Sequence, residues 1–319
     1  MSTAQPQPQP PRETGTARLP GDDGAVAGRR SLARRVSRLA NASVNEALTL
    51  LRDEPAGVVS RRIGFTGPPG AGKSTLIGRL AKTRAARGDP LAVVAIDPSS
   101  PKSSGALLGD RVRMDALLAG TDVYIRSLPS GRSADGLSDN LADVLAAIEA
   151  EGFGEILVET VGVGQIEAGA RALVDTLVLT MGPQSGDQIQ AMKAGVLETA
   201  DIVVINKADL AGAERMAQDI GAVLERQRGA GRRVTPVLLT QAGNGASIEA
   251  LSCAIDEHGA WRAAHTDAVQ AAEARRLWHA RSLLSRRVVE IVEALPADVR
   301  AASVARIYRH VARMMSESR

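Results

Sequence analysis

The sequence predicts an α/β fold, a doubly wound and mostly parallel sheet with helical extensions at both ends. Three observations predict it. Short apolar runs alternate with longer helical patterns through the middle of the chain. Most of those runs are unbroken, as expected for strands covered on both faces of a parallel sheet. A glycine-rich run, Gly67-Pro68-Pro69-Gly70-Ala71-Gly72-Lys73-Ser74-Thr75, stands between an apolar run and a helical one. That strand–loop–helix order suits phosphate, because a helix N-terminus offers free N–H groups and partial positive charge.

Taken in order, residues 1–28 are rich in Pro, Gln and Gly and poor in apolar side chains, so they read as a disordered tail. Residues 29–57 read as a helical segment. Leu32, Val36 and Leu39 share one face, Val44, Leu48 and Leu51 continue it, and Pro55 and Gly57 break it. Residues 58–259 form the central domain. Its expected strands are 61–66, 91–97, 122–126, 155–160, 176–181, 201–206 and 234–240. Its expected helices are 73–87, 107–119, 138–150, 187–198, 212–228 and 247–257. Residues 260–319 form a C-terminal extension with two amphipathic stripes, Leu277, Leu284, Val288, Ile291, Leu295 and Val304, Ile307, Tyr308, Val311, Met314. Such stripes either pack on their own domain or form a dimer interface.

The chain's 319 residues allow one large domain with appendages or two modest ones. Apolar content of 44% and charged content of 24% are ordinary for a globular protein. Aromatic residues make up 2%, which argues against single-stranded nucleic-acid binding by base stacking. The net charge is +3 and the arginines are scattered, so pairs such as Arg29-Arg30 and Arg34-Arg35 read as solvated helix faces. Cys253 is the lone cysteine, so no internal disulfide forms, and its neighbours Leu251, Ala254 and Ile255 suggest a small core residue. No stretch has the length of a transmembrane helix, and the N-terminus has no signal-like apolar core. A reducing, cytoplasmic setting without membrane insertion is the expectation.

The chemistry gathers at strand ends, where ligands bind in open α/β sheets. Gly67–Thr75 fits G-x-x-x-x-G-K-[ST], the phosphate-cradling loop. Glycines let the backbone curl so that N–H groups point at phosphate oxygens, Lys73 reaches the β- and γ-phosphates, and Ser74 ligates Mg²⁺. Asn206-Lys207-Ala208-Asp209 follows the apolar run Ile202–Ile205 and fits N-K-x-D, a guanine-reading pattern. A carboxylate only accepts, and guanine offers two adjacent donors. Adenine would leave Asp209 unsatisfied, at about 1–3 kcal/mol. Lys207 would cover the base face and Asn206 would brace the loop. Glu159 ends the strand before Thr160-Val161-Gly162, where it could hold the metal or its waters, and Gly162 could bring its N–H to the γ-phosphate. Gln165 either positions water or is an ordinary surface residue. Asp97 either reaches the metal's water shell or simply starts a turn before Pro98, and its strand-end position favours the metal.

Together these residues resemble the ArgK/MeaB family of P-loop GTPases over roughly residues 28–315. The matching pieces are Gly67–Thr75, Asp97-Pro98-Ser99-Ser100, Leu108–Met114, Glu159-Thr160-Val161-Gly162-Val163-Gly164-Gln165, Gln184-Ser185-Gly186-Asp187 and Asn206–Asp209. The resemblance implies a homodimeric, GTP-hydrolysing chaperone. It would gate adenosylcobalamin delivery to an acyl-CoA mutase such as methylmalonyl-CoA mutase, and protect that enzyme, with the C-terminal helices at the dimer interface. It implies that Ser74, Asp97 and Glu159 serve Mg²⁺, joined by Asp110. It makes the tract 184–193 a switch in which Lys193 stabilises transferring charge. Asp209 and Gln241-Ala242-Gly243 would hold guanine. GTPases commonly place Ser-Ala there, with a backbone N–H on the guanine oxygen. Gln241 here replaces the Ser that braces the turn and reads equally as part of an ordinary strand-to-helix turn, and Ile166 and Pro101–Ser104 also depart from the family pattern. Two other functions compete. A kinase associated with basic amino-acid transport would need ATP, against which Asn206–Asp209 argues. A metallochaperone GTPase would need a His- and Cys-rich segment, against which four scattered His and one Cys argue.

Overall fold

The computed structural model describes residues 22–51, 60–97, 118, 121–129, 138–160, 171–184, 196–227 and 233–317. Seven strands, β1 (Arg61–Thr66), β2 (Leu91–Asp97), β3 (Val123–Pro129), β4 (Glu155–Glu159), β5 (Thr176–Met181), β6 (Ile202–Asn206) and β7 (Val237–Thr240), form one sheet. Its order is β3-β2-β4-β1-β5-β6-β7, and every pairing is parallel. Most strands are apolar runs because helices cover both faces of the sheet's middle, while the edge strands β3 and β7 are only partly buried. On one face Leu32, Val36 and Leu39 of α1 (Asp22–Leu39) and Leu141, Leu145 and Ile148 of α4 (Leu141–Glu149) pack against Val94, Ile156 and Val158. On the other, Leu76, Ile77 and Leu80 of α3 (Lys73–Ala85) and Ile248, Leu251 and Ile255 of α7 (Gly245–His265) pack against Ile63, Phe65 and Val204. The remaining described helices are α2 (Val44–Leu50), α5 (Val196–Thr199), α6 (Ala213–Gln227), α8 (Ala268–Glu293), α9 (Ala297–Arg300) and α10 (Val304–Glu317).

The chain runs outward from β1 through β2 and β3, returns as β4 beside β1, and then builds β5 to β7 on the other side. The loop after β1 therefore opens at the reversal point of the sheet, where such folds bind ligands. The amino ends of the strands do different work. Arg61 and Glu155, the first residues of β1 and β4, join Arg84, Arg87 and Asp256 in a cluster of ion pairs. Burial alone would raise the Asp256 carboxyl, but hydrogen bonds from Arg84, Arg61 and Arg87 hold it well below the usual carboxylate range.

Several expectations needed correction. Helix α1 starts at Asp22, inside the stretch read as a tail. Strand β7 starts at Val237 rather than 234, because Pro236 has no N–H for the ladder. Strand β3 runs on to Pro129, and α7 extends to His265. The helices expected at 107–119 and over most of 187–198 lie outside the described residues. Cys253 is exposed rather than in the core. It lies two positions from Leu251 and from Ile255, which turns it to the opposite side of α7.

The stripes fare differently from one another. Val44 and Ala47 are buried in α2, while Leu48 is exposed. In the C-terminal extension Ile291 and Leu295 are buried, but Leu277, Leu284, Val288, Val304 and Tyr308 are exposed. Helix α8 is fastened to the domain by polar contacts instead. His279 Nε2 lies 2.6 Å from Asp143 Oδ1, Arg286 donates to Asp143 and Asn140, Arg275 pairs with Asp175, and Glu290 accepts from the Val44 N–H at 2.8 Å.

Candidate nucleotide-binding site

The loop 67–72 leaves β1 and enters α3 through two glycines that no other residue replaces. Gly67 has φ 142°, and a Cβ there would lie 1.9 Å from the Thr180 carbonyl oxygen. Gly72 caps α3 in the left-handed conformation, and a Cβ there would lie 2.6 Å from Asn206 Nδ2. The backbone is thus pressed against β5 and β6, as a phosphate-binding loop requires. Lys73, the first residue of α3, is 8% exposed. Its Nζ donates to the carbonyls of Gly67 at 2.9 Å and Pro68 at 3.1 Å, so the ammonium spans the loop from within. Ser74 Oγ donates to Glu159 Oε1 at 2.7 Å. The sheet makes this meeting possible, since β4 lies beside β1 with Glu159 level with Phe65.

The purine side of the site is tied to the same loop. Asn206 ends β6 and is 2% exposed. Its Nδ2 donates to the Ala71 carbonyl at 2.8 Å, and its Oδ1 accepts from Thr240 Oγ1 at 3.1 Å. Lys207 is left-handed with φ 58°, unusual for a residue with a side chain. That turn sends its Nζ back to the Gly70 carbonyl at 2.8 Å. The Ala208 N–H donates to the Thr240 carbonyl, which locks the Asn206–Asp209 loop to the end of β7. Asp209 is exposed. So are Gln241 and Gly243, with Ala242 half-buried between them.

The structure therefore brings Gly67–Thr75, Glu159, Asn206, Lys207, Asp209 and the 241–243 turn to the carboxyl end of one sheet. The backbone of Asp97 closes β2 at that same end, and its side chain lies outside the described residues. Asp110, Gly162, Gln165 and Lys193 also lie outside them. Sequence reading missed Thr240, Asn244 and Ser247. A signal for the last two is present. Asn244-Gly245-Ala246-Ser247 precedes the apolar Ile248 and Leu251, an N-cap pattern, and Asn244 Oδ1 accepts from the N–H groups of Ala246 and Ser247. Thr240 carried no signal, because its partner Asn206 is distant in sequence.

Residues 32–297 match the family described as "Methylmalonyl Co-A mutase-associated GTPase MeaB". The chain is 37% identical over 233 residues to a Pyrococcus horikoshii protein whose name assigns it to the GTPases, covering 72% of this chain and 74% of that one. It is 44% identical over 148 residues to the Mus musculus "Methylmalonic aciduria type A homolog, mitochondrial". That stretch is 46% of this chain and 36% of the mouse protein. Among solved structures it shares the fold of a protein titled "LAO/AO transport system kinase". The TM-score is 0.57 at 22% identity, covering 90% of this chain and 98% of that one. With a phosphate loop, a guanine-type loop and this extent of match on one chain, the protein belongs to the methylmalonyl-CoA mutase-associated GTPase family MeaB, and is a P-loop GTPase that binds guanine nucleotides.

Proposed function

We propose that this GTPase is a nucleotide-gated chaperone of an adenosylcobalamin-dependent acyl-CoA mutase, of which methylmalonyl-CoA mutase is the model client. It would gate cofactor delivery and protect the mutase from inactivation. The family description and the name of the mouse relative support the choice of client. The observation that carries the switch is the meeting of two subsites on one loop. Asn206 and Lys207, from the purine side, hold the carbonyls of Ala71 and Gly70, in the loop that Lys73 spans. Filling one side therefore bears on the geometry of the other.

In the proposed reaction Asp209 accepts from the two guanine donors, and the 241–243 turn meets the guanine oxygen. The backbone N–H groups of 67–75 surround the phosphates. Lys73 exchanges the Gly67 and Pro68 carbonyls for β- and γ-phosphate oxygens. Gly162 offers its N–H to the γ-phosphate, Gln165 orients the attacking water and Lys193 stabilises the transferring charge. Water attacks the γ-phosphorus in line to give GDP and phosphate. The chain's donors fit Mg²⁺. Ser74 Oγ and Glu159 Oε1, 2.7 Å apart, are both hard oxygen atoms. Among the described residues no group of three or more His, Cys, Asp or Glu could hold a metal ion. We assign Ser74, Glu159, Asp97 and Asp110 to Mg²⁺. When bound, Mg²⁺ supplies charge neutralisation at the phosphates.

The exposed residues Leu277, Leu284, Val288, Val304 and Tyr308 support a homodimer joined through α8 and α10. No helix among the described residues is long and apolar enough to cross a membrane, and a cytoplasmic location is part of the proposal. The test is capture of native partners with the chain held in GDP or in a non-hydrolysable GTP analogue. A cobalamin-dependent mutase recovered in one nucleotide state and not the other is the expected result. Recovery of a basic amino-acid transport component would favour the kinase reading, and a mutase that ignores nucleotide would remove the switch.

A further inference from the structure

The turn that should meet the guanine oxygen has no bracing side chain of its own, since Gln241 is exposed and follows Thr240 directly. The structure supplies the brace from elsewhere. Ser247, in the first turn of α7, puts its Oγ inside the curve of residues 241–244. The Gln241 N–H donates to that oxygen at 3.2 Å. The hydroxyl in turn donates to the Asn244 carbonyl at 2.8 Å, with the Gln241 carbonyl a second acceptor at 3.2 Å. Asn244 closes the arrangement from below. Its own N–H donates to the Gln241 carbonyl at 2.9 Å, and its Oδ1 caps α7. One hydroxyl thus fixes both peptide groups of Gln241, and with them the direction of the next N–H, that of Ala242.

We infer that Ser247 is a positioning residue for guanine recognition, holding the Ala242 N–H where the purine 6-oxygen arrives. The inference rests on the assignment of 241–243 to the guanine site. It is specific in what it affects. Ser247 hydrogen-bonds to Gln241 and Asn244 and not to the phosphate loop or Asp209, whose loop is tied to the strand end through Thr240 instead. Losing the hydroxyl should therefore weaken recognition of the 6-oxygen and leave the phosphates and the 2-amino contact intact. Alanine is also the better helix former, so Ser247→Ala does not disfavour α7 through propensity.

The test uses the full chain and compares GDP with 2-aminopurine riboside diphosphate, which keeps the 2-amino group but lacks the 6-oxygen and, with it, the N1–H that Asp209 also accepts; the 6-oxygen effect is read as the change that Ser247→Ala makes in the ratio of the two affinities. Wild type should prefer GDP. Ser247→Ala should weaken GDP by about fivefold, the scale of one lost hydrogen bond, while the analogue changes by less than about twofold. Ser247→Thr, which keeps the hydroxyl, should restore the preference. Equal weakening of both nucleotides, or none, would overturn the assignment of Ser247. A wild type that does not distinguish the two ligands would instead overturn the guanine reading of 241–243 and of Asp209 together.

Discussion

Replacing Asn206 by Asp changes one donor into an acceptor while keeping the shape, and so probes the joint between purine side and phosphate loop. In the native protein Nδ2 donates to the Ala71 carbonyl at 2.8 Å and Oδ1 accepts from Thr240 at 3.1 Å. In Asn206→Asp the Thr240 bond survives. The Ala71 bond becomes two acceptors face to face at a residue that is 2% exposed. The lost bond costs about 1 kcal/mol. Burying the charge adds about 1.4 kcal/mol for each unit by which the carboxyl pKa rises, and two units is a moderate rise for a buried acid. The expected loss of stability at neutral pH is about 3–4 kcal/mol on these terms. The sign with pH follows. The folded pKa is raised, so the charge penalty is absent below the unfolded value near 4, grows as pH rises, and levels off above the folded value. A protonated carboxyl can also donate to the Ala71 carbonyl again. Urea unfolding at pH 5 and pH 7.5, alongside GDP titration, reads both effects. The variant should lie closer to wild type at pH 5, and should bind GDP weakly at pH 7.5. A variant within about 0.5 kcal/mol of wild type at both values would refute the proposed role of Asn206 as a strut.

Three further outcomes are expected. Asp209→Asn should trade guanine for xanthine nucleotides, because an amide presents a donor where guanine also presents one; unchanged GTP binding by calorimetry would remove Asp209 from the purine site. Glu159→Gln keeps an acceptor for Ser74 Oγ but removes the charge. It should lower Mg²⁺-dependent turnover by about a hundredfold and spare metal-free GDP binding, so equal kcat would place the ion elsewhere. Gly67→Ala drives a Cβ to within 1.9 Å of the Thr180 carbonyl. It should therefore cost about 3 kcal/mol or more in thermal unfolding, with nucleotide binding lost as well.

What the sequence revealed is what local physics encodes. Unbroken apolar runs marked most strands, since a strand buried on both faces has few polar positions to interrupt it. Boundaries slipped where one residue overrode the pattern, as Pro236 did at the start of β7. The phosphate loop was legible because its glycines, lysine and serine are consecutive. The joints across the site were not. Asn206 meets Ala71, Ser74 meets Glu159, and Thr240 meets Asn206, all over long separations that only the sheet order closes. Periodicity likewise names a face without naming what covers it. The stripes in α8 and α10 are genuine, yet α8 reaches its own domain largely through His279, Arg286, Arg275 and Glu290 and leaves much of its apolar row outside.

The two ends of the sheet also divide the work by kind of interaction. At the amino ends, side chains satisfy side chains: Arg61, Arg84 and Arg87 close on Glu155 and Asp256. At the carboxyl ends, side chains hold backbone. Lys73, Asn206 and Lys207 spend their N–H groups on carbonyls of the 67–72 loop. Such contacts take up carbonyls and not N–H groups, which are the donors that phosphate requires; of these, the Ala71 N–H rests on the Pro68 carbonyl at 3.3 Å. The loop is therefore held in shape from its carbonyl side by Lys73, Asn206 and Lys207.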